Sequence, residues 1–216
     1  MNRLLKIDEL VIAEHYHLNV GDECYYFMEY ESRAGYSASE ANNLISNFKK
    51  SMSFKGHASW KYKTRAIVTI ANIFQESLAD FIDFEETTLV PIPPSKNKSN
   101  ADHDDRMLKT LNQFNIHLNG DVRELILMRE DMQAAHESQN RPSPQELKEN
   151  MIINEEASAD LGDTVILFDD VLTTGAHFIA CKNLIQERFP EKKVIGIFVA
   201  RRKIPVLDIF DFVEEQ

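Results

Sequence analysis

The sequence predicts an α/β fold with a mostly parallel central sheet flanked by helices, and three observations lead to this prediction. Nearly continuous apolar runs at 165–168 and 194–200 are typical of parallel strands buried on both faces. A longer segment, 61–81, places its apolar residues on one face at helical spacing. The 216 residues, 43% of them hydrophobic, suffice for one domain with its own core. No repeat or boundary divides the chain, so we expect a single domain over 1–216.

The other elements follow from local patterns along the chain. Strands are predicted over 24–30, 87–93, 122–128 and 193–200, and helices over 37–50, 61–81, 102–114 and 143–150. Ser37 or Ser39 can cap the first helix, and Ser143 with Glu146 has the spacing of a capping box. The polar segment 129–144 has no periodic face, and long loops of this kind often act as lids.

Charge and cysteine content restrict the partners and the cellular compartment that we expect. The chain has 24 Lys and Arg against 35 Asp and Glu, and its net charge of −11 gives no overall attraction to nucleic acid or membrane surfaces. Cys24 and Cys181 cannot build a metal site by themselves, and nothing indicates secretion. No N-terminal apolar run suggests a signal peptide, and no stretch is long enough to span a bilayer. We expect a cytoplasmic protein without membrane contact.

The segment 165–177 carries the most specific chemistry of the chain. An apolar strand leads to Asp169 and Asp170 at its expected end, and Thr173, Thr174 and Gly175 follow before a helical pattern. Unpaired N–H groups at a helix N-terminus bind anions, hydroxyls add donors, and a glycine lets the backbone come close to the anion. The two carboxylates suit sugar hydroxyls or a hydrated divalent cation. Phosphate donors beside acceptors for a sugar diol point to a ribose 5-phosphate.

This arrangement resembles the phosphoribosyl pyrophosphate (PRPP) signature of type I phosphoribosyltransferases. The resemblance implies the fold of that family with a small hood region, and catalytic roles for Asp169 and Asp170 at the ribose. It assigns binding of the 5-phosphate to Val171, Leu172, Thr173, Thr174, Gly175, Ala176 and His177. His177 stands where the family usually has Thr or Ser, so it either donates to phosphate or is simply a helix residue.

A second anion-binding loop is predicted after the strand over 87–93, where prolines stop strand pairing and the chain leaves the sheet. The family has its pyrophosphate loop at this place. The resemblance therefore assigns pyrophosphate binding to Pro94, Ser95, Lys96 and Arg106. Asp104 or Asp105 can orient Arg106, or Arg106 can form a capping ion pair of little energetic value. No direct metal ligand is predicted, and Mg²⁺ is expected to bind through PRPP near Asp169 and Asp170.

Within the family, the chain resembles the ComF-like group most closely, and the resemblance covers most of the sequence in order. It rests on Val90-Pro91-Ile92-Pro93, Asn112-Gln113, Arg141-Pro142-Ser143, Glu149-Asn150 and the Asp-Asp-Thr-Thr-Gly core. The zinc ribbon that often precedes this group is missing. The resemblance implies a flexible lid over 129–144, and a hood formed by residues 1–35 or by the C-terminal tail.

The implied reaction is transfer of the 5-phosphoribosyl group of PRPP to a nitrogenous acceptor with release of pyrophosphate. Two alternatives use the same fold: a catalytically silent sensor of PRPP or nucleotides, and a nucleic-acid-associated component of a DNA-uptake or phage-defence system. The second depends on the basic segment Lys49 to Arg65, in which aromatic residues interleave with six cations. That segment can also bind a protein partner, or be a solvated helix junction with its aromatics packed inward. The sequence leaves a homodimer open.

Overall fold

The computed structural model describes residues 3–132 and 142–204 of the chain. The strands are β1 Leu5–Lys6, β2 Glu23–Glu31, β3 Thr87–Pro91, β4 Asp121–Val122, β5 Ile126–Met128, β6 Met151–Ile153, β7 Thr164–Leu172 and β8 Lys193–Lys203. The helices are α1 Glu40–Phe48, α2 Trp60–Leu78, α3 Arg106–Phe114, α4 Pro144–Glu149 and α5 Ala176–Arg188. None of these described helices has the span of apolar residues that crossing a bilayer requires.

Six strands form the central sheet in the order β1-β2-β8-β7-β3-β4. Each neighbouring pair from β2 to β4 is parallel, whereas the short edge strand β1 is antiparallel to β2. Strands β5 and β6 pair with each other as a separate antiparallel ribbon. The predicted α/β class, with a mostly parallel sheet flanked by helices, is confirmed. That the sheet belongs to a type I phosphoribosyltransferase stays a prediction.

The apolar run at the start of β7 contributes to two cores, one on each face of the sheet. Successive side chains of a strand point to opposite faces, so Val165 and Leu167 pack with α4 and α5, and Ile166 and Phe168 pack with α1, α2 and α3. All four residues are at most 2% exposed. Burial on both faces explains the absence of polar alternation in this strand, and it fixes the position of the residues at its carboxyl end.

Two of the predicted helix starts are confirmed by their caps. Ser39 caps α1, and its Oγ accepts a hydrogen bond from the Asn42 N–H at 3.0 Å. Ser143 and Glu146 form the predicted capping box at α4, where each side chain binds the backbone N–H of the other residue. In each case the cap residue and its partner lie three residues apart, which is why the sequence predicts both caps correctly.

Two of the predicted strand boundaries are wrong. The sequence predicts that β7 ends before Asp169, but the strand runs to Leu172, because β8 is long enough to pair Arg201 with Leu172. The strand predicted over 122–128 is divided between β4, which pairs with β3, and β5, which pairs with β6. Most of the lid predicted over 129–144 lies in residues 133–141, outside the described part of the chain.

Candidate functional site

The two predicted anion loops leave neighbouring strands at the same edge of the sheet. Strands β3 and β7 are parallel, and the Ile92 N–H donates to the Phe168 carbonyl at 2.8 Å directly after β3 ends. We call residues 92–96 the proline loop. Asp169 and Asp170 lie beside it, at the end of the sheet where open α/β proteins bind their ligands.

An open cavity, about 590 Å³ with the solvent at its mouth included, lies between the proline loop and the two aspartates. The predicted site residues that line it are Pro94, Lys96, Arg106, Asp169 and Asp170. Ser95 borders a small neighbouring cavity, and His177 forms another part of its wall. Residues assigned to the two ends of PRPP by the resemblance therefore border adjoining spaces.

Residues 171–177, which we call the hydroxyl turn, connect β7 to α5. Gly175 has a φ of +86°, a conformation that residues with a side chain rarely adopt, and α5 begins at the next residue. The Ala176 N–H donates to Thr174 Oγ1 at 3.4 Å. Thr173 and His177 are half-buried, whereas the other residues of the turn are buried. A small, shallow cavity lies against this turn.

Asp169 lies between the two loops, because it lines both the large cavity at the proline loop and the small cavity at the hydroxyl turn. Its Oδ1 accepts the N–H of Asp170 at 2.7 Å. Burial and the negative charge of Asp170 raise the pKa of Asp169 to about 7, although the positive charge of Lys49 opposes the shift. This carboxyl group therefore changes its charge near neutral pH.

Asp170 has a different environment, since it is 3% exposed and both of its oxygens bind cations. Lys49 Nζ binds Oδ1 at 2.9 Å, and Arg106 binds Oδ2 through Nη2 at 2.7 Å and Nε at 3.2 Å. Burial opposes ionisation, but the two cations outweigh it and hold the pKa of Asp170 well below its usual range. The resemblance assigns Asp170 to the ribose, whereas in the structure its carboxylate is taken up by Lys49 and Arg106.

The ion pairs of Asp170 belong to a longer chain of charges. Arg106 Nη1 binds Asp104 at 2.7 Å, and the same Asp104 oxygen binds Lys63 at 2.7 Å. Lys63 is 2% exposed and also donates to two carbonyls at the C-terminal end of α1. Of the two acids predicted to orient Arg106, Asp104 does so, whereas Asp105 binds a lysine one turn along α3.

Sequence reasoning missed Lys49 and Lys63 as parts of this site, because it assigned both to the basic segment. Each lies far along the chain from the carboxylate that it binds, so no local motif links them. The available signal was chemical, since an acid at the end of a buried strand needs a cation or donor beside it. The sequence does not specify which of the 24 Lys and Arg residues fills that role.

The basic segment Lys49 to Arg65 presents less free positive charge than its sequence indicates. Two of its cations bind internal carboxylates, as described above. Of the other four, Lys50 is half-buried with its ammonium over the ring of Phe54, and Lys55, Lys61 and Arg65 are exposed, as is Tyr62. A nucleic acid would therefore meet a smaller patch than the six cations of the sequence suggest.

The N-terminal part of the chain lies on the hydroxyl turn. A Cβ at Gly175 would come within 2.8 Å of Leu18 Cδ2. The sequence predicts that the absence of a side chain at Gly175 makes room for an anion. In the structure this space is filled by Leu18. Leu18 belongs to residues 1–35, the segment that the resemblance offers as a hood.

The described residues do not form a complete metal site by themselves. Within 3–132 and 142–204, no group of three or more His, Cys, Asp or Glu side chains is close enough to hold a metal ion. Asp169 is a carboxyl group that lines the cavity, and divalent hard cations prefer oxygen ligands. The donor set fits an ion that takes most of its oxygens from a phosphorylated ligand and the rest from a carboxylate such as Asp169.

The geometry thus brings the two loops that are predicted to bind anions to one sheet edge, with a carboxyl group between them. A scan against protein-family models finds none that matches the chain, and a search of curated proteins finds no significant match.

Proposed function

We propose that this protein is a phosphoribosyltransferase that binds PRPP with Mg²⁺ across the proline loop and the hydroxyl turn. The observation that carries the proposal is the position of Asp169, which lines the cavities at both loops. PRPP has a diphosphate on one side of its ribose and a phosphate on the other. A ribose placed over Asp169 directs its two anionic ends to the two loops.

The hydroxyl turn suits the 5-phosphate because it offers neutral donors at a helix start. The first N–H groups of α5 have no partner inside the helix, and the helix dipole favours an anion there. The half-buried hydroxyl of Thr173 adds a donor. Burial and the charge of Lys49 lower the pKa of His177 to about 4, so its ring is neutral at pH 7 and can contribute an N–H.

The diphosphate end has positive charge from Lys96 and Arg106, which line the large cavity with Pro94. Burial disfavours the charged guanidinium, but Asp170 and Asp104 outweigh it and raise the pKa of Arg106 above its ordinary value. Charge-assisted hydrogen bonds to phosphate are stronger than neutral ones. In this proposal Asp170 is a positioning residue that orients Arg106, while Asp169 faces the ribose.

The reaction is a displacement at C1 of the ribose. The bond between C1 and the diphosphate oxygen breaks with its electron pair, a bond from C1 to the acceptor nitrogen forms, and that nitrogen loses a proton. The ionised carboxylate of Asp169 stabilises the positive charge that develops on the ribose ring, and Lys96 and Arg106 stabilise the leaving group. Bound Mg²⁺ supplies additional neutralisation of the diphosphate charge.

Phosphorus-31 NMR tests the proposal by following PRPP and Mg²⁺ with a panel of ammonia, amines, purines and pyrimidines. We expect wild type to release pyrophosphate with one acceptor class, faster at pH 8 than at pH 6 because Asp169 ionises between them. Asp169→Asn should abolish release. Asp163→Asn is the matched control, since Asp163 precedes the same strand and its side chain is 84% exposed. Intact PRPP with every acceptor would count against the enzyme.

Calorimetry of PRPP binding separates the alternatives. Binding without turnover would support the silent sensor, and the absence of binding would remove both the enzyme and the sensor. Salt-sensitive binding of DNA or RNA that is lost in Lys61→Met and Arg65→Met would support the nucleic-acid-associated alternative, because both residues are exposed.

A further inference from the structure

Residues 12–22, which we call the N-terminal strap, cross one side of the hydroxyl turn and bind its backbone. His15 Nδ1 donates to the carbonyl of Thr173. The backbone N–H of His17 donates to the carbonyl of Thr174 at 2.9 Å. The strap thus holds two successive carbonyl groups of the turn.

The strap is itself fixed to the sheet and to α5. Near its start, Glu14 binds Arg201 of β8 at 3.0 Å. At its end, the largely buried Asp22 forms an ion pair with Lys182 of α5. Between these points Leu18 packs against the bare face of Gly175. The contacts on the turn are therefore made by a segment held at both ends.

The geometry of a peptide bond converts these contacts into a direction for the donors. The described peptide bonds are trans, so the N–H of one residue points opposite to the carbonyl of the residue before it. Because the Thr173 carbonyl faces the strap, the Thr174 N–H points away from it. The Thr174 carbonyl and the Gly175 N–H are related in the same way. Two successive donors therefore point to the side of the turn that is opposite the strap.

His15 is suited to this role by its burial. It is 0% exposed, and its Nε2 has no hydrogen-bond partner among the described residues. A carbonyl can only accept, so Nδ1 carries the proton and Nε2 is left without one. Burial lowers the pKa of His15, which favours the neutral form of the ring. The contact with Thr173 is thus the polar interaction that this buried ring makes.

We propose that the N-terminal strap, through His15, is the positioning element that aims the N–H groups of Thr174 and Gly175 at the 5-phosphate. This inference rests on the proposed function of the hydroxyl turn. It assigns the strap to the phosphate end of PRPP rather than to the acceptor. A histidine has a comparable contact on the other loop, where His103 Nδ1 lies 2.8 Å from the carbonyl of Lys96.

Calorimetric titrations with ribose 5-phosphate and, separately, with pyrophosphate test the inference. His15→Leu keeps a side chain of similar size but removes the donor, and we expect about tenfold weaker binding of ribose 5-phosphate with unchanged binding of pyrophosphate. His15→Asn should restore most of the affinity, since its amide nitrogen can occupy the place of Nδ1. His103→Leu should give the opposite pattern and weaken pyrophosphate alone.

Two further variants keep the test decisive. Leu18→Ala loosens the strap without touching His15, so it should also weaken the binding of ribose 5-phosphate. It replaces His15→Leu in the test if that variant does not fold. Leu78→Ala, at a fully buried position of α2, lowers stability away from the strap and should leave both affinities unchanged.

The outcomes separate this inference from the proposed function. If wild type, His15→Leu and Leu18→Ala all bind ribose 5-phosphate equally well, the positioning role of the strap is wrong, and the proposed function still stands. An equal loss in Leu78→Ala would overturn that role too, because stability alone would then explain the effect. If wild type binds neither ligand, the proposed function is wrong, and so is the positioning role of the strap that rests on it.

Discussion

Asp169 and Asp170 are adjacent in sequence, yet their environments move their pKa values in opposite directions. Asp170 binds Lys49 and Arg106 and remains ionised, whereas Asp169 is half-buried beside that negative charge. Pairs of titratable groups with such opposed environments are typical of sites where one group positions and the other reacts. The sequence predicts that both residues belong to the site, but it cannot divide the roles, because the cations that distinguish them come from α1 and α3.

The raised pKa of Asp169 predicts a pH dependence of stability. An aspartate in an unfolded chain ionises at about pH 3.9, whereas the pKa of folded Asp169 is about 7. Between these values the folded state holds the extra proton, so this group's contribution to the free energy of unfolding is present below about pH 4 and is lost as the pH rises to about 7. Asp169→Asn cannot ionise, so from pH 5 to pH 8 its free energy of unfolding should rise by roughly 2.5 kcal/mol relative to that of wild type.

Urea unfolding of both proteins at the two pH values measures this difference. Taking the difference between wild type and variant removes the contribution of the other titrating groups. The same change with pH in both proteins would mean that Asp169 has an ordinary pKa.

The close contact at Gly175 predicts a stability loss from a single methyl group. Gly175→Ala forces a left-handed conformation on alanine, which costs about 1–2 kcal/mol, and the new Cβ also meets Leu18. Gly35→Ala is the matched control, because Gly35 has a φ of +83° but no heavy atom within 4 Å of an added Cβ. We expect a clearly larger loss at Gly175 in chemical denaturation, partly recovered by Leu18→Ala in the same chain. Equal losses at the two glycines would exclude the packing of Leu18 on the turn.

At the scale of elements, the sequence correctly predicts the features that depend only on residues close together in the chain. The caps at Ser39 and Ser143 depend on contacts three residues away and are predicted correctly. The end of β7 depends on the length of β8, and the division of 122–128 depends on two different partner strands. Those partners are set by the sheet order, which no local pattern specifies.

Lys63 connects three elements and should be important for stability. From α2 it binds two carbonyls at the end of α1 and the carboxylate of Asp104 just before α3. Lys63→Met leaves these acceptors with fewer partners in a buried place, and we expect a loss of about 3–5 kcal/mol in the free energy of unfolding. Lys61→Met, on the exposed side of the same helix, should change it by less than about 0.5 kcal/mol. Similar values for the two variants in urea denaturation would contradict the buried network.

At the scale of the whole molecule, the site is assembled from parts that are distant in sequence. The proline loop and the hydroxyl turn follow neighbouring parallel strands, so their meeting at one edge could be anticipated from the α/β class. The N-terminal strap and the lysine at the end of α1 reach the same edge through tertiary packing. Their residue types occur elsewhere in the chain as ordinary surface residues, and for this reason the sequence alone does not select them.

The central claim is that one ligand spans the proline loop and the hydroxyl turn. Displacement calorimetry tests it most directly, by titrating PRPP and Mg²⁺ into the free protein and into protein saturated with ribose 5-phosphate or with pyrophosphate. We predict that each of these ligands weakens PRPP binding, while the two bind together without displacing each other. The absence of PRPP binding, or PRPP binding that neither ligand affects, would contradict the claim.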